Sequence, residues 1–241
     1  LDDDNGKVYS GSVYVYDLSK NSGEDGFETK ITASDVTSNA YFGISVAIDG
    51  TTLVVGADGD DDNGTESGSV YVYDLNKTSG QDGFETKITA SDGAADDFFG
   101  HSVAIDGTTL VVGAYLDDDN GSNSGSVYVY DLTKTSGQDG FETMITPSDG
   151  AAYDFFGRSV SIDGTTLVVG ADGDDDNGSK SGSVYVYDLN KTSGEDGFET
   201  KIILSDGALF DFFGYSVTID GTTLVVGAYG DDDDDNVMVT D

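Results

Sequence analysis

Aspartate is concentrated in short segments that recur along the chain. Four of them are residues 58–63 (DGDDDN), 115–120 (YLDDDN), 172–177 (DGDDDN) and 229–236 (YGDDDDDN), and a fifth, LDDDN, opens the sequence. Carboxylates at alternate positions of a tight loop can turn toward one point and form the shell of hard oxygen ligands that Ca²⁺ prefers. The segments therefore predict weak calcium sites, with dissociation constants on the order of 10⁻⁴–10⁻³ M. The candidate ligands are Asp58, Asp60, Asp62, Asp117, Asp119, Asp172, Asp174, Asp176, Asp231 and Asp233.

The register of these segments is imperfect, because Tyr115 and Tyr229 replace the first aspartate in two of them. The alternative interpretation is a solvated acidic loop that keeps the surface soluble.

Residues for covalent catalysis are scarce. His101 is the only histidine and the chain has no cysteine, so the sequence offers neither a nucleophile–base pair nor a histidine-rich metal site. Carboxylate pairs are abundant, but nothing marks one of them as having a raised pKa. We expect no catalytic activity; a polysaccharide lyase is the distant alternative.

One position varies among segments that are otherwise nearly identical. It follows each recurring Phe-Gly dipeptide and is occupied by Ile44, His101, Arg158 and Tyr215. Because this position opens a predicted strand, we expect the four side chains to surround a common axis as a candidate ligand ring. The alternative is drift at a tolerant position.

Five Asn-X-Ser/Thr sequons are candidate glycosylation sites if the protein is secreted by a eukaryote. Asn63, Asn120 and Asn177 lie in the aspartate segments, and Asn76 and Asn190 follow a predicted strand. The alternative is that these asparagines simply belong to turns.

The charge of the chain is strongly unbalanced. Among 241 residues, 47 are acidic and 10 are basic, which gives a net charge of −37. Nucleic acid is excluded as a partner because phosphate binding needs clustered Lys and Arg, and an anionic membrane surface is disfavoured for the same reason. We expect no membrane insertion, since no apolar run approaches the roughly 20 residues of a spanning helix. No signal peptide opens the sequence, so if the protein is exported, its targeting segment is missing from this sequence or was cleaved.

The elements that must position these residues repeat every 57 residues. The dipeptide Phe-Gly recurs at 42, 99, 156 and 213, and the phrases SGSVYVYDL and DGTTLVVGA recur with the same spacing. Such self-similarity indicates one structural unit used four times. We therefore interpret residues 1–241 as a single repeat domain.

Each unit predicts four strands, a to d. In the second unit they are residues 99–106 (a), 108–114 (b), 125–132 (c) and 141–146 (d). The Asp-Gly between a and b predicts a type I′ hairpin turn, and Glu142 and Met144 suit an exposed outer strand. No stretch has a helical period. Four antiparallel strands per repeat predict an all-β propeller with one blade per unit.

The order of strands along the chain predicts a closed ring of four blades. The chain begins with strands c and d (residues 12–32) and ends after strands a and b (213–228), so the N-terminal pair can complete the last blade. Two chains could instead form an eight-bladed ring, and an open solenoid or a fragment of a longer array are further alternatives. Residues 237–241 (VMVTD) look like a vestigial strand c that would compete for the same place.

The succession of Phe-Gly, SVAIDGTTLVVGA and GSVYVYDL is similar to the FG-GAP repeat family, which includes the extracellular propeller of integrin α chains and many bacterial surface proteins. The segment TASDGAADDFFG (89–100) resembles the bacterial variant. The resemblance covers all four units and implies an extracellular propeller. The integrin-like calcium loop lies between strands a and b, where this chain has only a tight turn, so that site is not carried over. The usual seven blades are also not met.

Strand topology predicts which loops share a face. The b–c and d–a loops should form one strongly acidic face, and the opposite face should collect most lysines, Lys87 and Lys201 of strand d included. The sequence therefore predicts an extracellular, calcium-binding adhesion module for a protein or glycan ligand. The runner-up is a fibre subunit that self-associates into filaments by stacking unlike faces.

Overall fold

The computed structural model describes residues 6–35 and 37–232. This part of the chain contains sixteen β-strands and no helix, so the all-β class is confirmed, and no helix in it could cross a membrane. The strands are β1 (Val13–Tyr16), β2 (Glu28–Ile31), β3 (Ser45–Asp49), β4 (Thr52–Ala57), β5 (Ser69–Asp74), β6 (Glu85–Ile88), β7 (Ser102–Asp106), β8 (Thr109–Ala114), β9 (Ser126–Asp131), β10 (Glu142–Ile145), β11 (Ser159–Asp163), β12 (Thr166–Ala171), β13 (Ser183–Asp188), β14 (Glu199–Ile202), β15 (Phe213–Asp220) and β16 (Thr223–Ala228).

The strands form three complete four-stranded sheets and two half-sheets. The complete sheets are β3-β4-β5-β6, β7-β8-β9-β10 and β11-β12-β13-β14, each with the predicted order a-b-c-d and antiparallel pairing. β1 pairs with β2, and β15 pairs with β16. Each a strand contacts the a strand of the next sheet, from β3 through β7 and β11 to β15. This succession of blades is a propeller-type fold, as predicted.

The ring closure predicted from the chain ends is not detected. Within residues 6–35 and 37–232, no strand pairing joins β1 or β2 to β15 or β16. The half-sheet β1-β2 packs on the first complete blade, and β15-β16 packs on the third. Residues 237–241, the suggested spare strand, lie outside the described residues. Closure within one chain stays a prediction.

The a–b hairpins turn on other residues than those predicted. Asp49 pairs with Thr52, which leaves Gly50 and Thr51 as the two turn residues. Only Gly50 has a positive φ, +54°, whereas a type I′ turn needs positive φ at both central positions. The type I′ prediction was therefore wrong, and the glycine-first pattern is that of type II′. Asp49 instead links two blades, because its Oδ2 accepts a hydrogen bond from Gly107 N in the a–b turn of the next blade at 2.7 Å.

The middle strands of each complete blade are buried on both faces. In β4, Leu53 and Val55 pack toward the preceding half-sheet and Val54 packs toward the next blade, and none is more than 4% exposed. In β5, Tyr71 and Tyr73 are fully buried. Strands covered on both sides lose the alternation of a half-solvated sheet and become nearly continuously apolar. The stability of a blade therefore depends on having a neighbour on each side.

One aromatic trio forms the centre of each complete blade. Phe42 packs edge-on against Tyr71 and Tyr73, with ring centroids 5.4 and 6.2 Å apart. Such contacts contribute about 0.5–1.5 kcal/mol beyond the area they bury. The equivalent trios are Phe99 with Tyr128 and Tyr130, and Phe156 with Tyr185 and Tyr187.

The Phe-Gly dipeptide is where the backbones of neighbouring blades touch. Gly100 has a φ of +92°, and a Cβ there would lie 2.6 Å from the Ser69 carbonyl oxygen. On the facing strand, a Cβ on Gly56 would lie only 1.9 Å from the Gly100 carbonyl oxygen. The two glycines thus set the distance between blades.

We expect Gly113→Ala to lower the free energy of unfolding by at least about 2 kcal/mol, because overpacking at a fixed backbone forces neighbouring strands apart. The new Cβ would lie 2.1 Å from the Gly157 carbonyl oxygen. Urea denaturation measures the loss. The matched control is Gly227→Ala. The nearest atom to its new Cβ would be the Ser216 hydroxyl oxygen at 2.5 Å, and that side chain can rotate away. Equal losses in the two variants would contradict this account of the glycine.

Candidate binding face and its charged clusters

The b–c and d–a loops lie side by side, as predicted. Asp96 N donates to Thr65 O at 2.8 Å, and Phe98 N donates to Glu66 O at 3.1 Å, so the two loops are joined by their backbones. We call the surface that these loops form the loop face. It comprises residues 58–68, 115–125 and 172–182 between strands b and c, and residues 89–101, 146–158 and 203–212 between strands d and a.

The alternate aspartates of one segment do not converge on one point. Asp58 Oδ2 lies 2.9 Å from His101 Nδ1, toward the next blade. Asp60 and Asp62 instead reach Lys87 Nζ, at 3.2 and 2.6 Å. The three predicted ligands of the first segment therefore belong to two separate clusters.

A lysine ammonium holds the outer cluster together. Lys87 Nζ also lies 3.0 Å from Asp35, and the Tyr71 hydroxyl donates to Asp35 at 2.8 Å and to Asp60 at 3.0 Å. Burial opposes the charged form of Lys87, but hydrogen bonds to Asp62 and Asp35 outweigh it and raise the pKa of the ammonium. The third unit repeats the cluster: Lys201 Nζ reaches Asp149, Asp174 and Asp176 at 2.9, 2.8 and 2.6 Å.

These contacts correct the predicted distribution of charge. Lys87 and Lys201 were expected on the face opposite the aspartate loops, but both bind the aspartates of the loop face. Each lysine is the third residue of a four-residue strand d, near the end that leads into the d–a loop. The loop face is therefore less acidic than its aspartate content suggests.

The second unit has the same carboxylates without the lysine. Met144 occupies the lysine position in β10, and the Tyr128 hydroxyl donates to Asp92 at 2.9 Å and to Asp117 at 2.8 Å. The charge of Asp117, with burial and Asp92, raises the pKa of Asp119. We call Asp92, Asp117 and Asp119 the methionine-side cluster. Among the described residues, no salt bridge reaches it, and no group of three or more His, Cys, Asp or Glu is already arranged to hold a metal ion.

The two remaining predicted ligands belong to the last segment. Asp231 is exposed, and its backbone N donates to the Ala228 carbonyl oxygen at 3.4 Å. Asp233 lies outside the described residues.

Three of the four predicted ring residues lie in one aromatic and cationic array. The His101 and Tyr115 rings are 4.4 Å apart, and the Arg158 guanidinium lies 4.7 Å from the Tyr115 ring and 5.1 Å from the Tyr215 ring. Tyr229 packs edge-on to Tyr215 at 4.6 Å. We call these five residues the axial array. Ile44, the fourth predicted ring residue, is 49% exposed and takes no part in these ring contacts.

The array is flanked by two buried carboxylates. Asp58 pairs with His101, and Asp172 is 5% exposed with an Oδ1 that has no hydrogen-bond partner among the described residues. Burial raises the pKa of Asp172, opposed by the nearby charge of Arg158. Burial also opposes the charge of Arg158, but the Tyr215 hydroxyl and Asp172 outweigh it and raise the pKa of the guanidinium. The positive charge is thereby held in place between two rings.

The sequence pattern did not predict the role of Tyr115 and Tyr229, which interrupt the aspartate segments. The available signal was that their position also varies between units, with aspartate at 58 and 172. Across a blade boundary, Asp58 meets His101 and Tyr115 meets Arg158. The residues at these two positions are therefore chemically matched at two of the blade boundaries.

The burial of three aspartates of the d–a loops, Asp97, Asp154 and Asp211, was also missed. Asp97 and Asp154 accept hydrogen bonds from Ala94 N and Ala151 N at 2.6 Å. They are 7% and 5% exposed, and burial raises the pKa of each carboxyl to about 6.

All five sequon asparagines are exposed. The side-chain amides of Asn76 and Asn190 donate to Thr51 Oγ1 and Thr165 Oγ1 at 2.8 and 2.7 Å, which ties the c–d loop to the a–b turn. Those of Asn63 and Asn177 donate to backbone carbonyls of the neighbouring d–a loop. Asn120 is held through its backbone N, 3.3 Å from Ser124 Oγ.

Comparison with known proteins supports the same reading of the repeat. The FG-GAP repeat model matches residues 26–73, 83–130, 140–187 and 197–238. This chain belongs to the FG-GAP repeat family. No curated protein matches it.

Two solved structures are similar in outline. The computationally designed Ika4 protein has 17% identity and a TM-score of 0.39, over 78% of this chain and 85% of that one. The computationally designed Ika8 protein has 16% identity and a TM-score of 0.39, over 85% of this chain and 50% of that one.

The buried aspartates predict how stability depends on pH. Folding raises the pKa of each of these carboxyls from 3.8 to about 6. Each therefore contributes stability below pH 3.8, and this contribution is lost as the pH rises through about 6. The double variant Asp97→Asn, Asp154→Asn keeps both hydrogen-bond acceptors without the charge. Its melting temperature should therefore exceed that of the unmodified protein by several degrees above pH 6, and the gap should close in acid.

The matched control is Asp25→Asn, Asp82→Asn, which removes two charges from exposed positions. An equal response to pH in the control would show that net charge, and not burial, is responsible.

Proposed function

We propose that this FG-GAP repeat protein is a non-catalytic, extracellular binding module that holds a protein or glycan ligand on its loop face. The observation that carries the proposal is the axial array, in which Arg158 lies between the rings of Tyr115 and Tyr215 at 4.7 and 5.1 Å. The array stands at two positions that differ among units whose strands are nearly identical. A variable surface on a fixed scaffold is the arrangement that recognition requires.

The chemistry of the array defines what it can hold. Arginine is a planar, permanently charged donor that stacks on aromatic rings and binds oxygen acceptors through a fixed fork. Tyr215 and Tyr229 are 42% and 65% exposed, so each offers part of a ring to solvent. A fitting ligand would present an oxygen acceptor to Arg158 and an apolar surface to the rings. Sugar rings with acidic or carbonyl groups and loops with acidic side chains meet both conditions.

The family supports the proposed location, since FG-GAP repeats commonly occur in extracellular or surface proteins. Exposure of the five sequon asparagines is compatible with glycosylation in a secretory pathway.

Calcium binding is proposed for the methionine-side cluster. In the first and third units, Lys87 and Lys201 already neutralise the equivalent carboxylates, so those clusters do not fit a divalent cation. Asp92, Asp117 and Asp119 supply the oxygen ligands that Ca²⁺ prefers and lack such a lysine. Because they are not arranged around one point, binding would require the exposed Asp119 side chain to move.

The runner-up, a fibre subunit built by stacking unlike faces, has less support from charge. Lys20, Lys77, Lys134 and Lys191 lie on the face opposite the aspartates, but each reaches its own strand c aspartate at 3.5–3.8 Å. Those lysines are already partly neutralised. We therefore favour the binding module.

The ligand proposal is tested by removing the array while keeping the fold. Arg158→Ala should reduce binding to an immobilised array of acidic and neutral glycans and matrix proteins at least tenfold, because truncating a stacked arginine at the centre of a site removes a hot spot. Lys134→Ala on the opposite face removes the same charge and is the control. Retained binding by Arg158→Ala would place the ligand elsewhere.

The calcium proposal is tested by exchanging residues between units. Calcium at ten times the dissociation constant should stabilise the protein by about 1.4 kcal/mol per site, seen as a higher melting temperature than in chelator at matched ionic strength. Met144→Lys should abolish the rise, because its ammonium would fill the cluster. Lys87→Met should enlarge the rise by opening a second cluster. A calcium response unchanged by Met144→Lys would refute this site.

A further inference from the structure

We propose that Asn120 is a site of spontaneous deamidation, at which the side-chain amide becomes a carboxylate without the help of an enzyme. The equivalent Asn63 and Asn177 are protected from the same reaction by the fold. This inference concerns the b–c loops alone and does not depend on the ligand proposed for the axial array.

The chemistry requires only an asparagine that is followed by glycine. The backbone N of the glycine attacks Cγ of the asparagine, the new C–N bond closes a succinimide ring, and the bond from Cγ to Nδ2 breaks. The departing nitrogen leaves as ammonia and carries away the proton that the attacking nitrogen gives up. Water then opens the ring at either carbonyl and gives aspartate or isoaspartate. Glycine favours the attack because it has no side chain beside the attacking atom.

Three b–c loops carry this dipeptide in the same local sequence, DDDNG, at residues 60–64, 117–121 and 174–178. The three glycines have φ between +133° and +143°. Each glycine N donates to the carbonyl oxygen three residues earlier at 3.0–3.2 Å, and each asparagine N lies 3.1–3.3 Å from a serine hydroxyl. Because local sequence and backbone are alike, a difference in rate between the loops has to come from the side-chain amide.

Two of the three amides are tied to the neighbouring d–a loop. Asn63 Nδ2 donates to Ala90 O at 3.3 Å, and Asn177 Nδ2 donates to Leu204 O at 2.7 Å. Such a bond restricts the rotation that brings Cγ to the glycine N, and it must break before Nδ2 can leave as ammonia. The reaction is therefore slowed at both positions.

The amide of Asn120 has the same place without the bond. Its Nδ2 would lie 3.0 Å from a Cβ on Gly150, as Asn63 Nδ2 would lie 3.3 Å from one on Gly93. Pro147, the only proline of the chain, occupies the place of the acceptor residue. Within residues 6–35 and 37–232, Pro147 O accepts a hydrogen bond from Gly150 N alone, and Asn120 Nδ2 donates none. The exposed Asn120 side chain is therefore free to rotate.

The product would alter the loop face in the second unit alone. Aspartate or isoaspartate adds a negative charge to the loop that already carries Asp117 and Asp119 of the methionine-side cluster. Isoaspartate also lengthens the main chain by one carbon at a turn that the bond from Gly121 N to Asp118 O closes. A glycan on Asn120 would occupy the same Nδ2, so the two modifications exclude each other.

Peptide mapping measures the reaction at each site separately. Trypsin places the three dipeptides in different peptides, residues 31–77, 88–134 and 159–180. Unglycosylated protein is aged in mildly alkaline buffer, and mass spectrometry follows the replacement of amide by acid. We expect Asn120 to react about two- to tenfold faster than Asn63 and Asn177, the factor that corresponds to one net hydrogen bond. Isoaspartate in peptide 88–134 would identify the succinimide route.

The matched control is the same protein aged in urea at a concentration that unfolds it. The three sites should then react at equal rates, because their local sequences are the same. Equal rates in the folded protein would overturn the proposal. An advantage of Asn120 that is as large in urea as in the folded protein would also overturn it, since the fold would then have no part in the difference.

Exchanging the acceptor residues tests the cause. Pro147→Ala gives Asn120 the acceptor residue of the first unit and should slow its deamidation to the rate of Asn63. Ala90→Pro should accelerate the reaction at Asn63, with Asn177 as the internal reference in both variants. Melting curves establish that each variant is folded. An unchanged rate at Asn120 in folded Pro147→Ala would contradict the account of the missing bond.

Discussion

The contact between strand b of one blade and the Phe-Gly dipeptide of the next determines how the whole molecule packs. Gly56 and Gly100 bring two backbones so close that no side chain fits between them. The sheets on either side then bury both faces of the middle strands, and side chains such as Val54 lose all contact with water. Because burial on both faces needs two neighbours, a blade of this kind is stabilised by its row as much as by its own sequence. The same residue types are exposed wherever the row stops.

The second constraint is the large negative charge, which would disrupt the fold if the carboxylates were left without partners. The structure supplies partners of three kinds. Backbone N–H groups bind the buried Asp97 and the turn residue Asp49. Tyrosine hydroxyls from strand c donate to the aspartates of the loops, and Lys87 and Lys201 neutralise two of the three outer clusters. Part of the acidity is therefore offset locally, and the exposed carboxylates that remain are screened by salt.

The repeat and the strand order could be predicted from sequence because both depend on short-range signals. Period-two patterns and glycine turns indicated the strands, and antiparallel topology placed the b–c and d–a loops together. The failures involved contacts between units. Alternate spacing implied that Asp58, Asp60 and Asp62 converge, but Asp58 turns to the next blade and the others to Lys87. The turn type failed because pairing begins at Asp49 and shifts the turn by one residue. The burial of Asp97 was not predicted, because burial of a polar loop depends on contacts with the neighbouring loop.

The axial array bears on whether the variable residues are drift or a site. Drift at one tolerant position would give side chains unrelated to those beside them. Instead, two of the positions that vary are neighbours across a blade boundary, with a carboxylate opposite the only histidine and a tyrosine opposite the only arginine. Two of the three pairs at these positions are thus chemically complementary, and no contact is seen between Asp172 and Tyr215, the third pair, among the described residues. Ile44 is the one predicted ring residue that lies outside the array. In the proposed function, a ligand bound to Arg158 would also lie beside the buried Asp172 Oδ1, which has no hydrogen-bond partner among the described residues.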